Sequence, residues 1–184
     1  MRTIQRHWFG LAAIALPMFV SPAARAQLNS GPSTVALNAT LSESLTLSVA
    51  PNTVNFTLVP NGTANGNSAV SITTTWVLAK TRTSVSVYAY FTSTTALTDG
   101  GSPANTVATS KFNGNINGGA YSAFTGGSSP WGANSILVYT KSLGGAGTFN
   151  SSHTDTLGLQ VDTTGISLPA GTYTGTLNIQ AQAI

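Results

Sequence analysis

The sequence predicts an all-β fold, an antiparallel β-sandwich of about eight strands, on three observations. Apolar residues alternate with Thr, Ser and Asn at a period of two in several separate runs. Clusters of Gly, Asn, Ser and Pro divide those runs at turn-like intervals. Beyond the first 26 residues, no stretch long enough for a helix combines apolar spacings of three and four with capping residues, and the abundant Thr and Val fill helices poorly. Two sheets packed face to face give the alternating apolar sets a shared interior.

The first 26 residues stand apart from that pattern. Arg2 and Arg6 form a positive start, Trp8 to Val20 an apolar stretch, and Ala24-Arg25-Ala26 a small-x-small cleavage site, so residues 1–26 read as a secretory signal peptide. The apolar stretch, about 13 residues, is short of the ~20 needed to cross a bilayer. No later stretch is continuously apolar. The expectation is a secreted protein with no stable membrane insertion after cleavage, residues 27–184 forming a single domain.

From Thr34 to Val49 one face carries Val35, Leu37, Ala39, Leu41, Leu45, Leu47 and Val49. Fully extended, this run spans roughly 50 Å, against ~17–20 Å for an ordinary strand, so it must bend, split or project. Ser42-Glu43-Ser44 is the natural break, because Glu43 falls on the apolar face. After Pro51-Asn52 the apolar set shifts to Val54, Phe56 and Leu58, and Asn61-Gly62 with Asn65-Gly66 marks a turn. Val70, Ile72, Trp76 and Leu78 make the next inward line. Val85, Val87, Ala89 and Phe91 follow, with Tyr88 and Tyr90 on the opposite face. Further strands are predicted over Thr106 to Phe112, Ser135 to Thr140, Thr156 to Asp162 and Thr172 to Ala183. Between them, Asn113 to Asn134 is long for a loop and carries Ile116, Tyr121, Phe124 and Trp131.

Charge and chemistry narrow the function. Only 6% of residues are charged, and without the first 26 the chain has four basic and four acidic side chains. Lys80, Arg82, Lys111 and Lys141 are scattered, so no basic stripe suits nucleic acid. A neutral surface favours association. Cysteine is absent, which removes disulfides and a lipidated N-terminal cysteine. Beyond residue 26 the only histidine is His153 and the acids are Glu43, Asp99, Asp155 and Asp162. Asp155 and Asp162 in one extended strand lie ~23 Å apart on opposite faces, too far for paired-carboxylate hydrolysis. No enzyme, zinc site or cofactor is expected. Calcium oxygens would have to come from Asp99 or Asp155, yet Asp before Gly is most simply a turn former.

The segment Leu168-Pro169-Ala170-Gly171-Thr172-Tyr173-Thr174-Gly175-Thr176-Leu177-Asn178-Ile179 resembles the final strand of bacterial exported β-sandwiches, namely fimbrial subunits and spore-coat-U-like surface proteins. The spacing Gly171-x-Tyr173 also resembles a tyrosine corner. The resemblance covers the chain from His153 onward. It departs from that family in lacking a cysteine pair and a penultimate tyrosine. It implies an immunoglobulin-like or pilin-like sandwich located in the bacterial periplasm, on the cell surface or outside the cell. There it would act as a structural or adhesive protein that self-associates or joins other surface proteins, as a fimbria-like subunit does. The segment from Thr34 to Leu41 is the element expected to leave its own sandwich for strand addition to a neighbour; the alternative is one strand that switches sheets at Ser42-Glu43-Ser44. A second reading is a carbohydrate-binding module that binds a glycan through Trp131, Tyr121 and Phe124 of the long loop. Trp131, in the turn sequence Ser128-Ser129-Pro130-Trp131-Gly132, either caps the sandwich or presents a flat face to a ligand.

Overall fold

The computed structural model describes residues 31–126 and 131–184. The signal peptide predicted over 1–26 lies outside the described residues, as do residues 127–130 of the long loop. The chain divides into two units, 1–39 and 40–184. In the first, residues 31–39 have no regular secondary structure and are exposed. Val35 and Leu37 are 80% and 90% exposed.

The second unit is all-β. Its strands are β1 (Ser44–Ala50), β2 (Thr63–Asn65), β3 (Val70–Val77), β4 (Ser84–Tyr90), β5 (Thr95–Thr98) and β6 (Thr106–Ala108). They continue with β7 (Phe112–Ile116), β8 (Ser122–Ala123), β9 (Ser135–Ser142), β10 (Asn150–Asp162) and β11 (Asn178–Ala183). A 3-10 turn, Thr109–Lys111, precedes β7, and there is no α-helix among the described residues. The larger sheet runs β1-β3-β10-β7-β8, with β2 also on β10; a second runs β11-β4-β9; β5 and β6 form a separate pair. All named pairings are antiparallel.

Strand β10 organises the larger sheet because its 13 residues exceed any partner's length. Asn150 to Leu157 pair with β3, Gln160 to Asp162 with β2 on that same flank, and Leu157 to Val161 with β7 on the other. Its alternation sends Leu157, Leu159 and Val161 inward to join Val70 and Ile72 of β3. Val87 and Ala89 of β4, with Ile136 and Val138 of β9, complete the same core from the second sheet. The two sheets thus share one interior, as in a sandwich. Trp76 is 2% exposed, and its indole N–H donates to the Thr148 carbonyl at 2.8 Å, so its one polar atom is satisfied.

The 16-residue alternation from Thr34 is one strand only from Ser44 onward. The break falls where Glu43 was expected to interrupt, for an identifiable reason. Glu43 accepts hydrogen bonds from the Ala79 N–H at 2.7 Å and from Arg82 Nε and Nη2 at 3.1 and 3.0 Å. The carboxylate is thereby tied to the β3–β4 turn instead of pointing into the core. Leu41, on the other side of the break, is 79% exposed.

At the other end, the strand predicted over Thr172 to Ala183 forms only from Asn178. Thr172 to Leu177 has a single bridge, Thr98 to Thr174, made by reciprocal N–H to carbonyl bonds of 2.9 Å. Gly175 lets the backbone approach β5: a Cβ there would fall on the Ala96 carbonyl oxygen. Tyr173 donates its hydroxyl to the Pro169 carbonyl at 3.0 Å, the backward bond that the Gly171-x-Tyr173 spacing predicts.

Candidate functional site

Between residues 49–61 and 165–179 lies a groove of about 1120 Å³. One wall carries Val54, Phe56 and Leu58, and the other Leu168, Leu177 and Ile179. Leu159 of β10 and Phe112 of β7 also line it. Apart from Ile179 of β11, the residues of these two walls lie outside the main sheets, and the first wall is bridged through Phe56 to Gly66. Their apolar side chains pack on the core yet remain half-buried. The groove exceeds the ~300–1,000 Å³ usual for small-molecule sites, and its sides are irregular stretches carrying only isolated bridges.

Strands β1 and β11 are the edges of their sheets. Among the described residues β1 pairs only with β3 and β11 only with β4, and the two edge strands lie alongside one another. Leu45, Leu47 and Val49 of β1 and Ile179, Ala181 and Ala183 of β11 are half-buried where a central strand would be fully covered. Neither strand contains a charged residue. Proteins that keep their edges single place Lys, Pro or inward charges there.

A second cluster lies on the outward face of β4. The strand's alternation buries Val85, Val87 and Ala89 and turns Tyr88 and Tyr90 outward. Trp131 packs against both, with ring centroids 5.1 Å from Tyr88 and 5.8 Å from Tyr90, the latter pair nearly parallel at 26°. The Tyr90 hydroxyl donates to Oε1 of Gln180 on β11 at 3.1 Å.

The three loop residues singled out from sequence therefore separate. Phe124 is 2% exposed and packs edge-on to Phe91 at 5.2 Å, which places it in the core. Tyr121 is 39% exposed. Trp131 joins Tyr88 and Tyr90 instead of these two. The loop is also shorter than Asn113 to Asn134, because Asn113 to Ile116 belong to β7 and Ser122–Ala123 form β8. Gly114 is buried between Leu157 and Phe124, where a Cβ would already touch both.

The carboxylates are engaged in structural contacts. Asp99 accepts from the side-chain amide of Asn105 at 2.6 Å and from the backbone N–H groups of Gly101 and Asn105 at 3.0 and 2.9 Å. Those bonds hold its carboxyl below the usual range and bind both oxygens to the loop they brace. Asp155 is 5% exposed and accepts from Asn117 Nδ2 at 2.8 Å, with His153 Nε2 at 3.2 Å. The His153 ring stacks on Tyr139 at 3.9 Å. Burial, with the Asp155 charge as the lesser cause, pushes the Tyr139 hydroxyl up. No group of three or more His, Cys, Asp or Glu suited to a metal occurs among the described residues.

Sequence reasoning missed the groove, since it read Val54, Phe56 and Leu58 as one more alternating run and Thr172 to Ala183 as one continuous strand. The signal available was the apolar 54–58 alternation lying between two Asn/Pro clusters, too short to be central. No protein-family model matches the chain, and no curated protein matches it in sequence.

Proposed function

We propose that this protein is an exported, non-catalytic structural subunit of the pilin-like kind, which assembles by lending its 34–41 segment to the groove of another copy. The observation that carries this reading is a mismatch within one chain. A core is left open along a groove, and a separate alternating apolar segment is exposed: Val35, Leu37 and Leu41 are 80%, 90% and 79% exposed. An added strand has apolar walls for its alternate side chains to fill, bordered by Val49 of β1 and Ile179 of β11. The neutral, uncharged edges offer no repulsion to a second copy.

Deletion of residues 27–41 tests the reading. The shortened chain is expected to remain folded and monomeric, and to bind a synthetic 33–41 peptide but not a scrambled one. The exported wild type is expected to form oligomers or filaments visible by electron microscopy. A wild type that stays monomeric at high concentration, a shortened chain that ignores the peptide, or a deletion that unfolds the domain would each overturn it.

A further inference from the structure

We infer that the Trp131, Tyr88 and Tyr90 cluster is a binding site for a short neutral glycan, separate from the assembly groove. The cross-strand register sets its floor. Leu137, Tyr88 and Gln180 stand side by side on β9, β4 and β11; Thr140, Ser86 and Gln182 form the next row; Tyr90 and Asn178 pair in the row on the opposite side. Leu137 is 42% exposed. Aromatic and aliphatic surface is thus flanked by amides and hydroxyls, with no Asp, Glu, Lys or Arg in these rows. The Tyr90 hydroxyl bond to Gln180 Oε1 orients that amide with its NH₂ group as a donor beside the rings.

Three features select the ligand class. The rings touch one another at 5.1 and 5.8 Å, so they form a surface and not a cage with room for a quaternary ammonium between them. All three are half-buried. With ~150–250 Å² per aromatic side chain, the three together leave on the order of 200 Å² open, well under the ~800 Å² per partner of a stable protein interface. A sugar ring matches that scale, with an apolar face to lie on the rings and a rim of hydroxyls to meet Gln180 and Gln182. The absence of charge from the rows matches a neutral sugar and gives no purchase to an acidic one. Because Trp131 lies against both tyrosines, the open surface is about the size of one or two sugar rings.

The test uses the tryptophan signal. Beyond residue 26 the tryptophans are Trp76 and Trp131, and Trp76 is 2% exposed, so a surface ligand reports through Trp131. The exported chain is titrated with cello-, xylo-, manno- and chito-oligosaccharides, followed by fluorescence and calorimetry, with choline as a control. Saturable binding of at least one glycan is expected. Trp131→Ala and Tyr88→Ala are each expected to weaken it by about tenfold or more. Gln180→Ala, which leaves the aromatic rings in place, should weaken it less. Trp131→Ala and Tyr88→Ala should assemble like the wild type, and Leu37→Asp should bind the glycan like the wild type, so failure here is distinct from failure of the assembly reading. Absence of binding to every glycan at millimolar concentration, affinity unchanged in Trp131→Ala, or a response to choline alone would overturn the assignment. So would quenching that follows protein concentration instead of ligand.

Discussion

Replacing Leu37 by Asp separates a residue that belongs to its own fold from one that belongs to a neighbour's. Leu37 is 90% exposed, so the folded unit loses no burial, and the change should alter its stability by no more than about 0.5 kcal/mol. In a joint between copies the same side chain would be buried, a contribution of about 1.5–3 kcal/mol that the variant forfeits. The incoming carboxylate would also enter a groove walled by Val54, Phe56, Leu168 and Leu177 with no cation to pair with. A total near 3 kcal/mol per joint corresponds to roughly 100-fold weaker association. Ala36→Asp is the control: it adds the same charge to an equally exposed stretch, but position 36 falls on the opposite face of an extended segment and should cost far less. Sedimentation velocity and electron microscopy of the exported proteins read the assembly, and thermal melting reads the fold. Equal assembly of Leu37→Asp and wild type refutes the reasoning. So does equal loss in Leu37→Asp and Ala36→Asp, because strand insertion requires a period of two.

Three further outcomes follow from the fold itself. Gly175→Ala should destabilise by about 3 kcal/mol, since its methyl meets the Ala96 carbonyl and backbone has to move; a fall of roughly 10 °C in melting temperature checks this. Phe124→Ala should cost about 3–5 kcal/mol as a core truncation, whereas Tyr121→Ala should stay within about 0.5, measured by urea denaturation. Hydrogen bonds from Arg82, then from the Ala79 N–H, hold the Glu43 carboxyl down to about 2 from its ordinary 4.5. A depressed carboxylate stabilises fully above its unfolded pKa. Any advantage of wild type over Glu43→Gln should therefore persist above about pH 4.5 and vanish as pH falls through about 2, and it should shrink with added salt because the pair is exposed.

The all-β class and most inward lines were legible because period-two alternation is a local signal: Val85/Val87/Ala89 and Leu157/Leu159/Val161 occupy the faces their spacing assigns. What was not legible depends on partners. Val35, Leu37 and Leu41 alternate as well as Leu45, Leu47 and Val49 do, yet only the second set begins a strand, because β3 pairs Ser44 through Ala50 and stops. Thr172 to Leu177 alternates too, but it meets β5 only at the Thr98 to Thr174 bridge and gains no ladder. The long loop misled for a related reason. Gly and Asn ordinarily signal turns, yet Asn113, Gly114 and Asn115 form a strand because Gly114 fits against Leu157 and Phe124, where a larger residue would be crowded. Trp131 was legible as a surface aromatic but not as the neighbour of Tyr88 and Tyr90, some forty residues away in sequence.

The alternation without a local partner is itself informative. Selection for solubility alone would replace Val35, Leu37 and Leu41 with polar residues at no cost to a fold they do not stabilise, and would put a charge in β1 or β11. The chain instead keeps apolar residues on an exposed segment, leaves β1 and β11 uncharged, and ties Glu43 into an ion pair with Arg82 where it would otherwise interrupt the apolar face. The first two features do nothing for an isolated copy, whereas the ion pair ties Glu43 to the β3–β4 turn. Under the proposed assembly they become complementary when a second copy supplies the strand, and the long Thr34 to Val49 run would then carry two separate tasks divided at Glu43.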